Sequence, residues 1–182
     1  MKKISLYYTD SYNGKDSHKL LLSAASLYTS LPKDSFQLSS ERGKKPYFNN
    51  YPNIHFSISH SGKLWICAFG VDEVGADVQV DDGKRDRARL ADRFFSSDEA
   101  EWVKNHERPN HAFCRIWSRK EAAVKMCGIG IDGRFNRFSS VSDITEIDGK
   151  RAIILDFSLP TEIAHYAAIA YCDSFEIELK RI

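Results

Sequence analysis

The sequence predicts an α+β chain (α/β in the broad sense) built as two similar lobes, on two observations. Apolar and polar residues alternate in short runs in both halves, over 4–8, 55–59 and 74–80 in the first and over 152–157, 163–172 and 175–181 in the second. Over 17–28 and 111–127 the apolar residues recur instead at helical spacing, so each half brings its own helix and its own strands. The plan is pseudo-duplicated, with antiparallel sheets and packed helices. An N-terminal lobe over 1–83 and a C-terminal lobe over 84–182 are expected to form one functional unit.

With 182 residues, 42% of them hydrophobic and 12% aromatic, the chain has enough apolar surface to offset the entropy of ordering it. A formal net charge of +1 supplies no global field for nucleic acid or an acidic membrane surface, so any charge argument is local. No apolar run approaches the roughly 20 residues of a membrane span. Cys67, Cys114, Cys127 and Cys172 form no C-x-x-C pair and are expected to be buried free thiols. Lys2 and Lys3 are not followed by a leader-like apolar run, so the expected location is cytoplasmic.

The elements follow in order. After the strand at 4–8, the helix over 17–28 carries Leu20, Leu21, Ala24 and Leu27 on one face. Lys15 and Lys19 at its start oppose the helix dipole, a placement that suits an external anion better than the helix itself. Leu31-Pro32 ends the helix, and in Gly43-Lys44-Lys45-Pro46-Tyr47-Phe48 the proline biases Lys45 toward an extended backbone. Phe56 and Ile58 share one face of the next strand, and a turn at 60–63 carries His60 into the apolar strand over 64–69. Over 74–80 the valines alternate with Gly75, Asp77 and Gln79, so Asp77 and Gln79 project from one face. A carboxylate in such a strand calls for a partner, and a metal ion or a cationic ligand is a natural one.

The charge-dense stretch 81–93 reads as a surface linker or short helix. Ser96 and Glu99 then have capping-box spacing before a helix at 100–104. The main helix is expected to take Asn110 as its N-cap and to stop at Gly128 and Gly130. Phe113, Ile116, Trp117, Val124 and Cys127 form its apolar stripe, and Trp117, Glu121 and Lys125 form a row beside it. By itself a Glu with a Lys four residues on is a solvated ion pair worth about 0.3–0.5 kcal/mol. Asp148-Gly149 marks the turn before the three closing strands.

Taken together, GKKPYF, FSISHSG, GADVQ, FFSSDE and WSRKEAAVK stand in an order and spacing that resemble 4′-phosphopantetheinyl transferases of the Sfp type. The resemblance covers residues 43–125. It implies a pseudo-dimeric transferase fold that moves the phosphopantetheine arm of coenzyme A to a serine of an acyl or peptidyl carrier protein, releasing adenosine 3′,5′-bisphosphate. It also implies Mg²⁺ held by Asp77, Glu121 and Gln79 with the coenzyme A pyrophosphate. Lys125, and His60 with Ser59, would meet the phosphates; Lys45 would contact the nucleotide; Lys15 and Lys19 would hold the 3′-phosphate. Glu121, or a metal-bound water beside it, would accept the serine proton, so Glu121, Lys125 and His60 form the expected catalytic set.

The chain departs from the pattern at Gln79, where many relatives carry a second acidic residue and weaker Mg²⁺ binding is expected, and at Lys44, where the usual residue is glycine. The amino-terminal lobe is also shorter than in most members. The cationic stretch 84–93, with Lys84, Arg85, Arg89 and Arg93, is expected to dock an acidic carrier, and one chain carrying both lobes is expected to work as a monomer, without nucleic acid or membrane. Two other readings use the same residues: a Mg²⁺-dependent phosphohydrolase, and a non-catalytic module that grips coenzyme A or a carrier.

Overall fold

A computed structural model describes residues 2–41, 44–81, 87–129 and 135–182. In chain order these form β1 (Lys2–Thr9), α1 (Ser17–Thr29), β2 (Leu38–Ser39), β3 (Tyr47–Phe48), β4 (His55–Ser61), β5 (Leu64–Gly70), β6 (Val74–Val80), α2 (Ala91–Phe94), α3 (Ser97–Asn105), α4 (Pro109–Cys127), β7 (Ile144–Ile147), β8 (Lys150–Phe157), β9 (His165–Tyr171) and β10 (Phe175–Arg181). The mixed α+β class is as expected. Among the described residues no helix is long and apolar enough to cross a membrane.

Two four-stranded sheets, ordered β10-β1-β5-β4 and β6-β9-β8-β7, form the centre. All their neighbours run antiparallel except β10, which lies parallel to β1. The facing sides carry Ile4, Leu6, Ile66 and Ala68 from one sheet and Val74, Ala76, Val78 and Ile169 from the other. α1 covers the outer face of the first sheet through Leu21, Ala24 and Ala25, packed with Tyr7, Trp65 and Phe69. α4 covers the outer face of the second, with Ile116, Ala122 and Ala123 against Ala152, Ile154, Ala168 and Ala170. The layers are therefore helix, sheet, sheet, helix. The sheets do not part the chain at residue 83: β6 belongs with the C-terminal strands and β10 returns to the first sheet. Asp77 thus shares a sheet with β9, whereas His60 lies on β4 of the other.

The strands β4 and β6, edge strands of the two sheets, are joined by side chains. Ser57, Ser59 and Ser61 project from one face of β4, and their hydroxyls accept from the backbone N–H groups of Ala76 (3.0 Å), Val78 (3.4 Å) and Val80 (3.0 Å). A hydroxyl at every second residue thereby stands in for a neighbouring strand.

Several local expectations are corrected. α4 begins at Pro109, whose missing N–H and fixed φ suit the first helical position. Asn110 is inside the helix, and its Oδ1 accepts from the N–H groups of Arg87 (2.9 Å) and Ala88 (3.1 Å), fastening the next segment back in the chain. Gly128 does end α4, at φ 74; Gly130 lies outside the described residues. On α1 Leu27 is 61% exposed and Ala25 buried, because the buried stripe runs through Leu21, Ala24, Ala25 and Tyr28, which stacks on Phe69 at 4.7 Å. His60 is a strand residue opposite Trp65, and the turn is made by Gly62 at φ 55. The Asp148-Gly149 turn joins β8 to β7, a strand the alternation had not marked. Cys172, just past β9, is exposed, while Cys67, Cys114 and Cys127 are buried.

Candidate functional site

β6 carries the centre of the site. Its alternation turns Val74, Ala76 and Val78 toward the other sheet and leaves Gly75, Asp77 and Gln79 toward α4. α4 runs antiparallel to β6, so that Lys125 reaches Asp77 near one end and His111 reaches Asp81 (2.8 Å) near the other. Gly75 allows this approach, since a methyl there would lie 1.8 Å from the Ala122 carbonyl oxygen.

The Asp77 side chain is 3% exposed and fully engaged. Its Oδ1 accepts from Ser59 Oγ at 2.6 Å and from Lys125 Nζ at 2.7 Å, and its Oδ2 from Gln79 Nε2 at 2.8 Å. Lys125 Nζ also stands 3.7 Å from Glu121 Oε2. The row of Glu121 and Lys125 expected on α4 is thus present, with its ammonium between two carboxylates from two elements. Burial pushes the Glu121 carboxyl up to about 7; Lys125 pulls it down, and the charge on Asp77 adds to the rise.

The residues expected to gather here fall into groups. Asp77, Gln79, Glu121, Lys125 and Ser59 form one bonded cluster. His60, exposed and on the opposite face of β4 from Ser59, packs against Tyr12 with ring centroids 5.1 Å apart. Its cross-strand neighbour Trp65 donates to Ser17 at the start of α1, the end that bears Lys15 and Lys19. Both lysines are exposed, and Lys19 pairs with Asp16 at 3.2 Å. Lys45 is held apart from the acidic cluster, with its Nζ on Glu73 Oε2 (2.9 Å) and the Val74 carbonyl (2.8 Å). Lys44 is mostly exposed and pairs with Glu41. Lys84 and Arg85 lie outside the described residues, whereas Arg89 and Arg93 sit in the short helical stretch from Ala88 to Phe94.

Two cavities flank the cluster. One, of about 280 Å³, is walled by Lys44, Lys45 and Pro46, by Phe56, Ser57 and Ile58 of β4, and by Glu121, Val124, Lys125, Gly128 and Ile129 at the end of α4. The other, of about 490 Å³, is walled by Ser61, Gln79, Arg87, Leu90, Phe113, Cys114 and Trp117. The second wall is aromatic and cationic; the first mixes lysines with apolar side chains.

Among the described residues no group of three or more His, Cys, Asp and Glu side chains could hold a metal ion. The donors present still suit a hard divalent cation, since the Asp77 and Glu121 carboxylate oxygens converge on one ammonium. Gln79 turns its amide nitrogen to Asp77.

α4 also carries one member of a buried pair that the sequence reading passed over. Lys120 and Glu99 are both fully buried, 2.7 Å apart. Lys120 also donates to the Phe138 carbonyl and lies 4.0 Å from the Phe138 ring centroid, while Glu99 accepts from Ser96 and from Ser140. Burial lowers the Lys120 pKa, and Glu99 opposes that. The capping box expected at Ser96 and Glu99 is present, with this second duty added. Arg119, equally buried, donates to the carbonyls of Ser140 and Ser142, so adjacent residues of α4 pin the segment 138–143. The signal was legible: position 120 falls in the centre of the apolar stripe of α4, where a lysine has to find a buried partner.

Residues 73–175 match the model of the 4′-phosphopantetheinyl transferase superfamily. Over 136 residues, 70% of this chain, the sequence is 32% identical to 4′-phosphopantetheinyl transferase Sfp of Bacillus subtilis (strain 168), of which the match covers 60%. It is 34% identical to 4′-phosphopantetheinyl transferase ffp of Bacillus subtilis over the same shares of both chains. A shorter match, 40% identical over 91 residues, covers 48% of this chain and 47% of 4′-phosphopantetheinyl transferase AcpT of Salmonella typhi. The match thus spans about three fifths of the length of the Bacillus relatives.

Proposed function

The chain belongs to the 4′-phosphopantetheinyl transferase superfamily, and from that premise we propose that it transfers the phosphopantetheine arm of coenzyme A to a serine of an acyl or peptidyl carrier protein. The observation that supports this reading best is the cluster of Asp77, Glu121 and Lys125, one buried carboxylate and one of near-neutral proton affinity meeting at an ammonium beside a cavity.

The serine oxygen attacks the β-phosphorus of coenzyme A; a new P–O bond forms, the pyrophosphate P–O bond breaks, and adenosine 3′,5′-bisphosphate leaves. Glu121, or a water beside it, takes the serine proton, and the burial that raises the Glu121 pKa favours a proton on that carboxyl. Lys125 balances charge on the phosphoryl oxygens, and Ser59 and Gln79 fix the Asp77 carboxylate by a hydrogen bond to each of its oxygens. Asp77, Glu121 and Gln79 would hold Mg²⁺, which supplies charge neutralisation on the pyrophosphate. The nucleotide lies toward Lys45 and the first cavity, with His60, Lys15 and Lys19 meeting phosphates on the α1 side. The carrier approaches over the second cavity, where Arg87 and Leu90 lie next to Arg89. We place the reaction in the cytoplasm, on a monomer whose sheets and helices act as one unit.

Intact-protein mass spectrometry of an apo carrier protein incubated with this protein, coenzyme A and Mg²⁺ tests the reading, beside a Glu121→Ala control. Gain of one phosphopantetheine, lost in the control and without Mg²⁺, is the expected result. Coenzyme A cleaved with the carrier unmodified would make it a hydrolase, and coenzyme A bound but unreacted across several carriers a non-catalytic module. Arg89→Glu should raise the carrier KM and leave the coenzyme A KM unchanged.

A further inference from the structure

Lys45 reaches the cavity from residues 44–46, which belong to no helix or strand and lead into the short strand β3. A lysine has four side-chain torsions and up to about 2 kcal/mol of rotamer entropy to lose when it is fixed. Such a side chain stays in one place only if something outside its own loop holds it.

The turn between β5 and β6 does this. Lys45 Nζ donates to Glu73 Oε2 at 2.9 Å and to the Val74 carbonyl at 2.8 Å, across 28 and 29 residues of chain. Two of the three ammonium donors are thereby used, and one remains for a ligand. Glu73 is in turn held from its other side, with His55 Nδ1 3.2 Å from its Oε1. His55 opens β4 opposite Gly70, so this carboxylate is fixed to the frame of the first sheet. Burial depresses the Lys45 pKa, and the bond and charge of Glu73 oppose the depression. Burial raises the Glu73 pKa, and the contacts with Lys45 and His55 outweigh it, leaving the carboxyl ionised at neutral pH.

We infer that Glu73 is a positioning residue for coenzyme A binding: it bridges His55 and Lys45 and holds the Lys45 ammonium in the cavity wall, one donor turned over to the nucleotide. The inference rests on the transferase reading and names a further residue of the same site. Val74 then has a second part: its side chain packs between the sheets while its carbonyl anchors the lysine. Glu73 touches no reacting atom, so it acts on affinity and not on the chemical step.

A double-mutant cycle tests this, with Glu73→Gln, Lys45→Met and the pair, using the full chain, an apo carrier and Mg²⁺. Lys45→Met should raise the coenzyme A KM about tenfold or more, the loss of a hydrogen bond to a charged group. Glu73→Gln should raise it about fivefold, the loss of a partly screened ion pair, with kcat and the carrier KM unchanged. In the Lys45→Met background Glu73→Gln should add less than about twofold, because coupled residues are not additive. Calorimetric titration with coenzyme A should give the same pattern in Kd, and thermal melts verify that each variant is folded. Equal Glu73→Gln effects in both backgrounds, or a fall in kcat at unchanged KM, would overturn the inference while wild-type turnover left the transferase reading standing. A wild-type protein that neither binds coenzyme A nor modifies a carrier would overturn both.

Discussion

Gly75 of β6 and Ala122 of α4 approach so closely that a methyl group on Gly75 would meet the Ala122 carbonyl oxygen at 1.8 Å and the Met126 nitrogen at 2.5 Å. Both obstacles are backbone, so no rotamer change relieves them. Gly75→Ala should therefore destabilise the protein by about 3 kcal/mol, at the upper end of the cost of overpacking a core. Because α4 would be pushed off β6, transfer should fall further than the loss of folded protein explains. Urea melts together with turnover per folded molecule check this.

Lys125 is a cation set between Asp77 and Glu121. Lys125→Ala should lower stability by about 1.5–3 kcal/mol, the worth of a hydrogen bond to a charged group. Added Mg²⁺ should restore part of that loss, and should stabilise the variant more than the wild type. Melting temperatures with Mg²⁺ and with chelator read this directly. Equal stabilisation of both proteins by Mg²⁺ would mean that the cation binds away from these carboxylates. Turnover in the variant should fall about 100-fold, the scale of losing one electrostatic contact to a transition state.

The Glu121 carboxyl is pushed from 4.5 up to about 7, first by burial and also by Asp77, against the pull of Lys125. A folded-state pKa above the unfolded one gives stability that is complete below 4.5 and is lost as pH rises through 7. Metal-free protein should accordingly lose stability between those pH values, and Glu121→Gln should flatten that decline. Mg²⁺ competes with the proton for the same oxygens and should flatten it too. Denaturant midpoints measured across the range give the answer; an unchanged slope in Glu121→Gln would assign the titration to another group.

For Lys120 and Glu99, both without solvent exposure, the desolvation cost is offset by each other, by their hydrogen bonds and, for Lys120, by the Phe138 ring. Lys120→Met should cost about 3–5 kcal/mol, as expected when one partner of a buried pair is removed. Equilibrium unfolding measures it. The segment 138–143 should exchange its amide protons faster in this variant, since Lys120 and Arg119 hold the Phe138, Ser140 and Ser142 carbonyls.

Patterns set by neighbours in sequence were the ones legible in advance. The 3.6-residue period of α4 with Gly128 after it, the alternation that puts Asp77 beside Gln79, and the Ser96/Glu99 cap all depend on residues a few positions apart. What the reading missed is decided across the fold. Asn110 looked like a cap for its own helix but serves Arg87 and Ala88 once Pro109 has taken the first turn. β10 pairs with β1 from the far end of the chain, and no local signal selects that partner over β9. Glu73 was one charge in a loop until the fold brought Lys45 and His55 to it. The same holds for the candidate site: the motifs marked its residues, but the ammonium of Lys125 between Asp77 and Glu121 depends on how α4 crosses β6.

The serine ladder between β4 and β6 also bears on how the molecule behaves in a crowd. An uncovered edge strand offers its unpaired amides to any extended chain, which is how sheet proteins join into aggregates. Here the outward N–H groups of Ala76, Val78 and Val80 are taken by Ser57, Ser59 and Ser61, so the valine-rich edge of the second sheet has no free donors at those positions with which to recruit a stranger. The hydroxyls that align the two sheets thus also withhold this stretch of β6 from pairing with another chain.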